Sequence, residues 1–186
     1  MRHNILKSVV LTAALLLGGV AGATTTTKSS YTDSEIAAKA VHEIRMYSRY
    51  TIWDNINLRV QNGNVELMGQ VSQPFKKADL QRIMQKVPGV ASVTNEIQVL
   101  PLSPFDDRLR AQVARAIYRD PVLSRYGIQA VPPIQIIVDN GHVTLEGVVN
   151  NEMEKNVAGI RASGAGLSFG QVTNNLRVEN PKSKKS

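Results

Sequence analysis

The chain has 186 residues, with 22 lysines and arginines against 15 acidic residues, and it contains no cysteine. A disulfide, a thiol nucleophile, a thiolate metal centre and lipid attachment at a cysteine are therefore all excluded. The net charge of +7 does not describe a nucleic-acid-binding surface. Arg2, Lys7, Lys28 and the tail lysines Lys182, Lys184 and Lys185 supply most of it, whereas residues 33–100 carry eight basic and seven acidic residues and 104–180 carry eight of each.

Residues 1–23 read as a secretory signal peptide. Arg2 and Lys7 give the positive start, Val9 to Leu17 the apolar stretch, and Ala21-Gly22-Ala23 the small-x-small cleavage site. Cleavage after Ala23 lowers the net charge to +5. The apolar stretch falls short of the roughly 20 residues a membrane-spanning helix needs. Residues 24–31, rich in threonine, form a flexible spacer.

A first domain is expected over 32–100. Its first helix starts near Thr32, with Asp33 or Ser34 as cap, and Ile36, Ala40, Val41 and Ile44 make its apolar stripe. Ile56 to Val71 (INLRVQNGNVELMGQV) alternates as a strand, an Asn62-Gly63 turn and a second strand. Asn-Gly is the strongest short hairpin signal, because both central residues of a type I′ turn need positive φ. The turn sets Val60 opposite Val65, Leu58 opposite Leu67 and Ile56 opposite Gly69, where something must cross closely. A helix from Ser72-Gln73-Pro74, with Leu80, Ile83, Met84 and Val87 apolar, ends at Pro88-Gly89 and leads into a strand through Val93, Ile97 and Val99.

After a stiff linker over 101–104, a second domain over 105–180 repeats the pattern. Asp106 opens a helix with Leu109, Val113, Ala116 and Ile117 on its stripe, offset by 73 residues from the first. Ile134 to Val149 (IQIIVDNGHVTLEGVV) repeats the hairpin at an offset of 78, with Asn140, Gly141 and Gly147 matching Asn62, Gly63 and Gly69. Met153, Val157 and Ile160 carry the next stripe, and Val172, Leu176 and Val178 the last strand. Residues 181–186 form a basic tail. The chain is thus α+β, two tandem small αββαβ sandwich domains, each with two helices on one face of a three-stranded sheet. The buried residues are expected to be Ile36, Ile44, Leu58, Val60, Leu67 and Leu80 in the first domain, and Leu109, Val113, Ile136, Val138, Leu145 and Val157 in the second.

Chemistry-bearing motifs are sparse. His42 and His142 sit at unrelated positions, Asp106-Asp107 is explained by a helix start, and no nucleophile elbow, phosphate loop or metal-spaced cluster appears. Metal and cofactor are therefore read as none. Trp53, without a counterpart in the second copy, is expected to pack against a core edge. The asymmetry between the copies lies on the second domain's first helix. Arg108, Arg115 and Arg119 fall within about 40° of each other on a helical wheel. None has an acidic residue three or four positions away, and the matching residues of the first copy are Glu35, His42 and Met46. Five extra residues within Arg119 to Pro133 add Arg125 beside Leu123, Tyr126, Ile128 and Val131. A solvated or interdomain-paired helix face and an anionic headgroup site remain alternative readings of these arginines.

The segments VQNGNVELMGQV, PGVASVTNEIQV, VDNGHVTLEGVV and QVTNNLRV resemble the BON domain family, across both repeats. The chain is similar in plan to the soluble, osmotically induced periplasmic type with two such domains. The resemblance implies an αββαβ fold, a periplasmic location, no enzyme activity and no small-molecule or nucleic-acid partner. It implies binding either to anionic phospholipid headgroups, for which the helix and insertion arginines Arg108, Arg115, Arg119 and Arg125 are the candidates by their placement, or to unfolded and outer-membrane protein clients as a chaperone-like stress protein. At the last helix–strand corner the second copy has Leu167-Ser168-Phe169 where the first has Pro88-Gly89-Val90, a departure from the repeat.

Overall fold

A computed structural model describes residues 31–129, 131–165 and 171–179. The expected signal, nearly all of the spacer, the corner Leu167-Ser168-Phe169 and the basic tail lie outside the described residues. In the first repeat, α1 (Asp33–Met46) is followed by β1 (Asn55–Gln61), β2 (Asn64–Val71), α2 (Pro74–Met84), β3 (Ser92–Asn95) and β4 (Gln98–Val99). In the second, α3 (Pro104–Tyr118) and a short α4 (Ser124–Gly127) precede β5 (Ile134–Asp139), β6 (His142–Val149), α5 (Glu152–Ser163), β7 (Val172–Asn174) and β8 (Arg177–Val178).

Each sheet is three strands wide. The hairpin strands run antiparallel in the anticipated register, Val60 opposite Val65, Leu58 opposite Leu67 and Ile56 opposite Gly69, with Val138, Ile136 and Ile134 repeating it against Val143, Leu145 and Gly147. The last strand lies parallel on the far side of the hairpin in two pieces, β3 with β4 and β7 with β8. Asparagine causes each break. Asn95 donates from Nδ2 to the Lys77 carbonyl (2.9 Å) and accepts the Ile97 N–H (3.2 Å), and Asn174 does the same with Lys155 (2.7 Å) and Leu176 (3.3 Å).

The glycine facing the first hairpin residue is required by backbone approach. A Cβ on Gly69 would lie 2.0 Å from the Asn55 carbonyl oxygen and one on Gly147 1.9 Å from that of Pro133, and both residues have φ well above +100°. Two separate cores form, one under α1 and α2 and one under α3 and α5.

Several expectations require correction. Thr32, not Asp33 or Ser34, caps α1, in a reciprocal box with Glu35. Leu58, Val60 and Val157 are partly buried rather than buried, since β1 is an edge strand and α5 turns a different face inward. That face carries Glu154, Ala158 and Ala162 at four-residue spacing, and leaves Met153 and Ile160 exposed. Within the segment that carries the insertion before β5, Leu123 and Tyr126 enter the second core. Trp53 packs at a core edge as expected, and the core it meets is the second domain's. Beside it the Ile136 N–H donates to the Ile52 carbonyl (2.7 Å), tying the two domains together.

Candidate functional site

The carboxylates that open the first helix of each repeat do not cap those helices. Asp33 accepts the backbone N–H groups of Asn62 (2.7 Å) and Gly63 (2.8 Å), and Asp106 accepts those of Asn140 (3.1 Å) and Gly141 (2.9 Å). Asn62 and Asn140 hold φ near +50° and their glycines near +80°, so the amides of both turn residues converge on one anion. Helix and hairpin are thereby locked together, in both copies, by the same residue pair.

A second matched position carries opposite charges. Lys76 and Glu154, offset by 78, are both buried in the first turn of their helices. Lys76 Nζ pairs with Asp54 (2.6 Å), whose carboxylate also accepts from Thr51 and Ser72. Glu154 accepts from the Tyr126 hydroxyl (2.6 Å), the Asn150 N–H (3.0 Å) and the Arg125 guanidinium. Burial alone would raise the Glu154 carboxyl, but those donors hold it below the ordinary carboxylate value. Both pairs serve the fold.

The groove between the two helices of each repeat is where the copies diverge. In the second domain a depression of about 590 Å³ is lined by Arg115, Arg119, Asp120, Pro121, Ile160 and Arg161 among others. Arg115 donates to the Ala111 carbonyl (3.2 Å) and meets no carboxylate among the described residues, and Arg119 has no side-chain partner there. Arg161 Nε donates to Asp120 (2.6 Å), whose carboxyl is held low by the Val122 N–H, against the opposing effect of burial, and further by Arg161. Ile160, 68% exposed, adds an apolar side chain to the lining beside these cations. All three arginines stand in the last turn or cap of a helix, where positive charge complements the dipole. The equivalent groove of the first domain, about 480 Å³, holds Lys39, His42, Glu43 and Lys86, and Lys39 lies over the Tyr31 ring.

The structure thus brings together Arg115 and Arg119 and adds Arg161, which sequence reasoning missed because it turned the Met153–Ile160 stripe inward, whereas α5 buries Glu154, Ala158 and Ala162 and brings Ile160 and Arg161 to the groove. Arg108 is exposed, nearer the start of α3 and outside this depression. Arg125 stands apart on α4, half exposed and committed to Glu154. None of the four candidate arginines is paired with an acidic group of the first domain among the described residues. No His, Asp or Glu cluster among the described residues could hold a metal, and no described helix is long and apolar enough to cross a membrane.

One αββαβ module, built twice and locked twice by a helix carboxylate on its hairpin, defines a tandem-repeat protein. The profile of the BON domain matches residues 32–101 and 105–180, and the chain belongs to the BON domain family as a two-domain member. No curated protein matches it. Among solved structures, CdsD, a structural protein of the type III secretion system of Chlamydia trachomatis, is similar at 15% identity, over 80% of this chain and 95% of that one, with a TM-score of 0.27. The C-terminal domain of CdsD is similar at 12% identity, over 81% and 100% of the chains, with a TM-score of 0.28. Scores this low support no further inference.

Proposed function

We propose that this protein is a non-enzymatic periplasmic envelope module that binds anionic phospholipid headgroups through the α3–α5 groove of its second domain. One observation carries the reading: among the described residues Arg115 and Arg119 have no carboxylate partner, the carboxylate lining their groove, Asp120, being engaged by Arg161, while in the first domain's groove Glu43 stands among Lys39, His42 and Lys86. Guanidinium groups match phosphate oxygens bidentately, and the exposed Ile160 offers apolar contact to the glycerol and acyl region beneath a headgroup. Arg108 extends the cationic stripe along the same helix, and Arg125 supports the site by fixing α4 against α5.

The test is co-sedimentation with vesicles of phosphatidylglycerol and phosphatidylcholine against phosphatidylcholine alone, at rising salt. Each exposed arginine near an anionic surface contributes about 1 kcal/mol. The triple variant Arg108→Gln/Arg115→Gln/Arg119→Gln should bind at least about tenfold more weakly, with unchanged melting. Equal binding to both vesicle types, or a triple variant that binds like the parent, overturns the reading. Capture of unfolded protein insensitive to salt would favour the chaperone-like alternative, for which the exposed Phe105, Met153 and Ile160 supply apolar contacts.

A further inference from the structure

The two repeats treat their exposed sheet edges differently. In β5 the outward-facing backbone groups belong to Ile134, Ile136 and Val138, and each residue has one taken. The Ile134 carbonyl accepts from the Tyr118 hydroxyl (2.6 Å), the Ile136 N–H donates to Ile52 (2.7 Å), and the Val138 carbonyl accepts from Arg110 Nη2 (2.7 Å). The corresponding residues of β1 are Ile56, Leu58 and Val60, which hold the same register against β2. No hydrogen bond from another described residue reaches their outward groups. The sequence explains why. At the helical offset of 73, Ala37 stands where Arg110 stands, and Arg45 where Tyr118 stands. The second domain blunts its edge, and the first keeps its edge open.

That open edge faces a cleft of about 880 Å³ between the domains, lined by Val41, Arg45, Ile56 and Leu58 on one side and by Val131 and Arg177 on the other. We propose that the cleft receives an extended peptide segment, which pairs with β1 as an added strand. A row of free backbone donors and acceptors is complementary to another backbone. Val41 and the partly buried Leu58 offer apolar contact to alternate side chains of such a strand. Arg45 and Arg177 carry no carboxylate partner among the described residues, and Glu146, which also lines the cleft, accepts from Asn175, so the two free cations favour a segment with an acidic residue flanking an aliphatic run. The second domain walls off the far side, leaving a slot for one strand rather than for the folded edge of another copy.

The experiment uses the full chain and a fluorescent peptide of alternating valine and threonine flanked by aspartates. Binding is read by anisotropy, and amide exchange by NMR. In the free protein the Leu58 and Val60 amides should exchange readily. Peptide should slow them at least tenfold, with Asn57 and Arg59, which face β2, unchanged. Ala37→Arg/Arg45→Tyr transplants the second domain's caps and should weaken the peptide at least tenfold, with vesicle binding intact, so failure here is separate from failure of the headgroup reading. Leu58 and Val60 already protected in the free chain, absence of binding, or protection confined to other strands would overturn the proposal. Protection that rises with protein concentration alone would assign the edge to a second copy and likewise overturn it.

Discussion

Replacing Asp106 by alanine removes the anion that gathers the Asn140 and Gly141 amides. Asp106 is fully buried, and its two acceptor contacts measure 3.1 and 2.9 Å. Hydrogen bonds to a charged group contribute about 1.5–3 kcal/mol each, and part of that returns when water reaches the freed turn amides. The net cost should be about 3 kcal/mol, which for a domain of this size lowers the melting temperature by roughly 12–24 °C. Asp33→Ala removes the same pair of bonds at a partly exposed site, and should cost about half as much because water replaces the carboxylate more completely. Asp106→Asn keeps one acceptor oxygen and should fall between parent and alanine variant. Calorimetric melting of the three variants measures this ordering. An Asp106→Ala protein that melts within about 3 °C of the parent would refute the lock, and equal losses at Asp33 and Asp106 would refute the burial argument.

Gly147→Ala should destabilise the second domain by at least about 3 kcal/mol, because its Cβ would overlap the Pro133 carbonyl at 1.9 Å and its φ is +116°; urea unfolding checks it. Glu154 and Asp120 are held below their ordinary values of 4.5 and 3.8, so their stabilisation is complete above those values and is lost as pH falls through the lower folded ones. Glu154→Gln should therefore lose less stability than the parent between neutral pH and pH ~3; parallel pH profiles would contradict the assignment. Trp53→Ala, a change in the first domain, should lower protection of the Val143 amide in the second by about 1–2 kcal/mol in hydrogen exchange. A loss confined to Val65 would contradict the interdomain packing.

The hairpins were legible because strand alternation and an Asn-Gly turn fix register locally, and the repeat doubled the signal. The close approach at Gly69 and Gly147 followed from the same register. Asp33 and Asp106 were legible as a matched pair but not in their role, since a carboxylate at a helix start looks like a cap whether its partner is its own helix or a turn some thirty residues away. The buried face of α5 is not legible in the sequence because Ala158 and Ala162 bury as well as larger residues where helix and sheet approach closely, and because Glu154 is buried with partners on α4 and at Asn150. Of the candidate site, Arg115 and Arg119 were legible from the missing carboxylates on their own helix. Arg161 and the engagement of Arg125 were not, because both depend on contacts across the fold, with Asp120 and Glu154.

The central claim is that the second groove, and not the first, receives an anionic headgroup. NMR titration with a short-chain phosphatidylglycerol below its micellar concentration tests it directly. The headgroup reading predicts saturable shifts at Arg115, Arg119, Ile160 and Arg161 that weaken as salt rises, with Lys39, His42 and Lys86 unmoved. Equal shifts in both grooves, shifts indifferent to salt, or none at the arginines would contradict it.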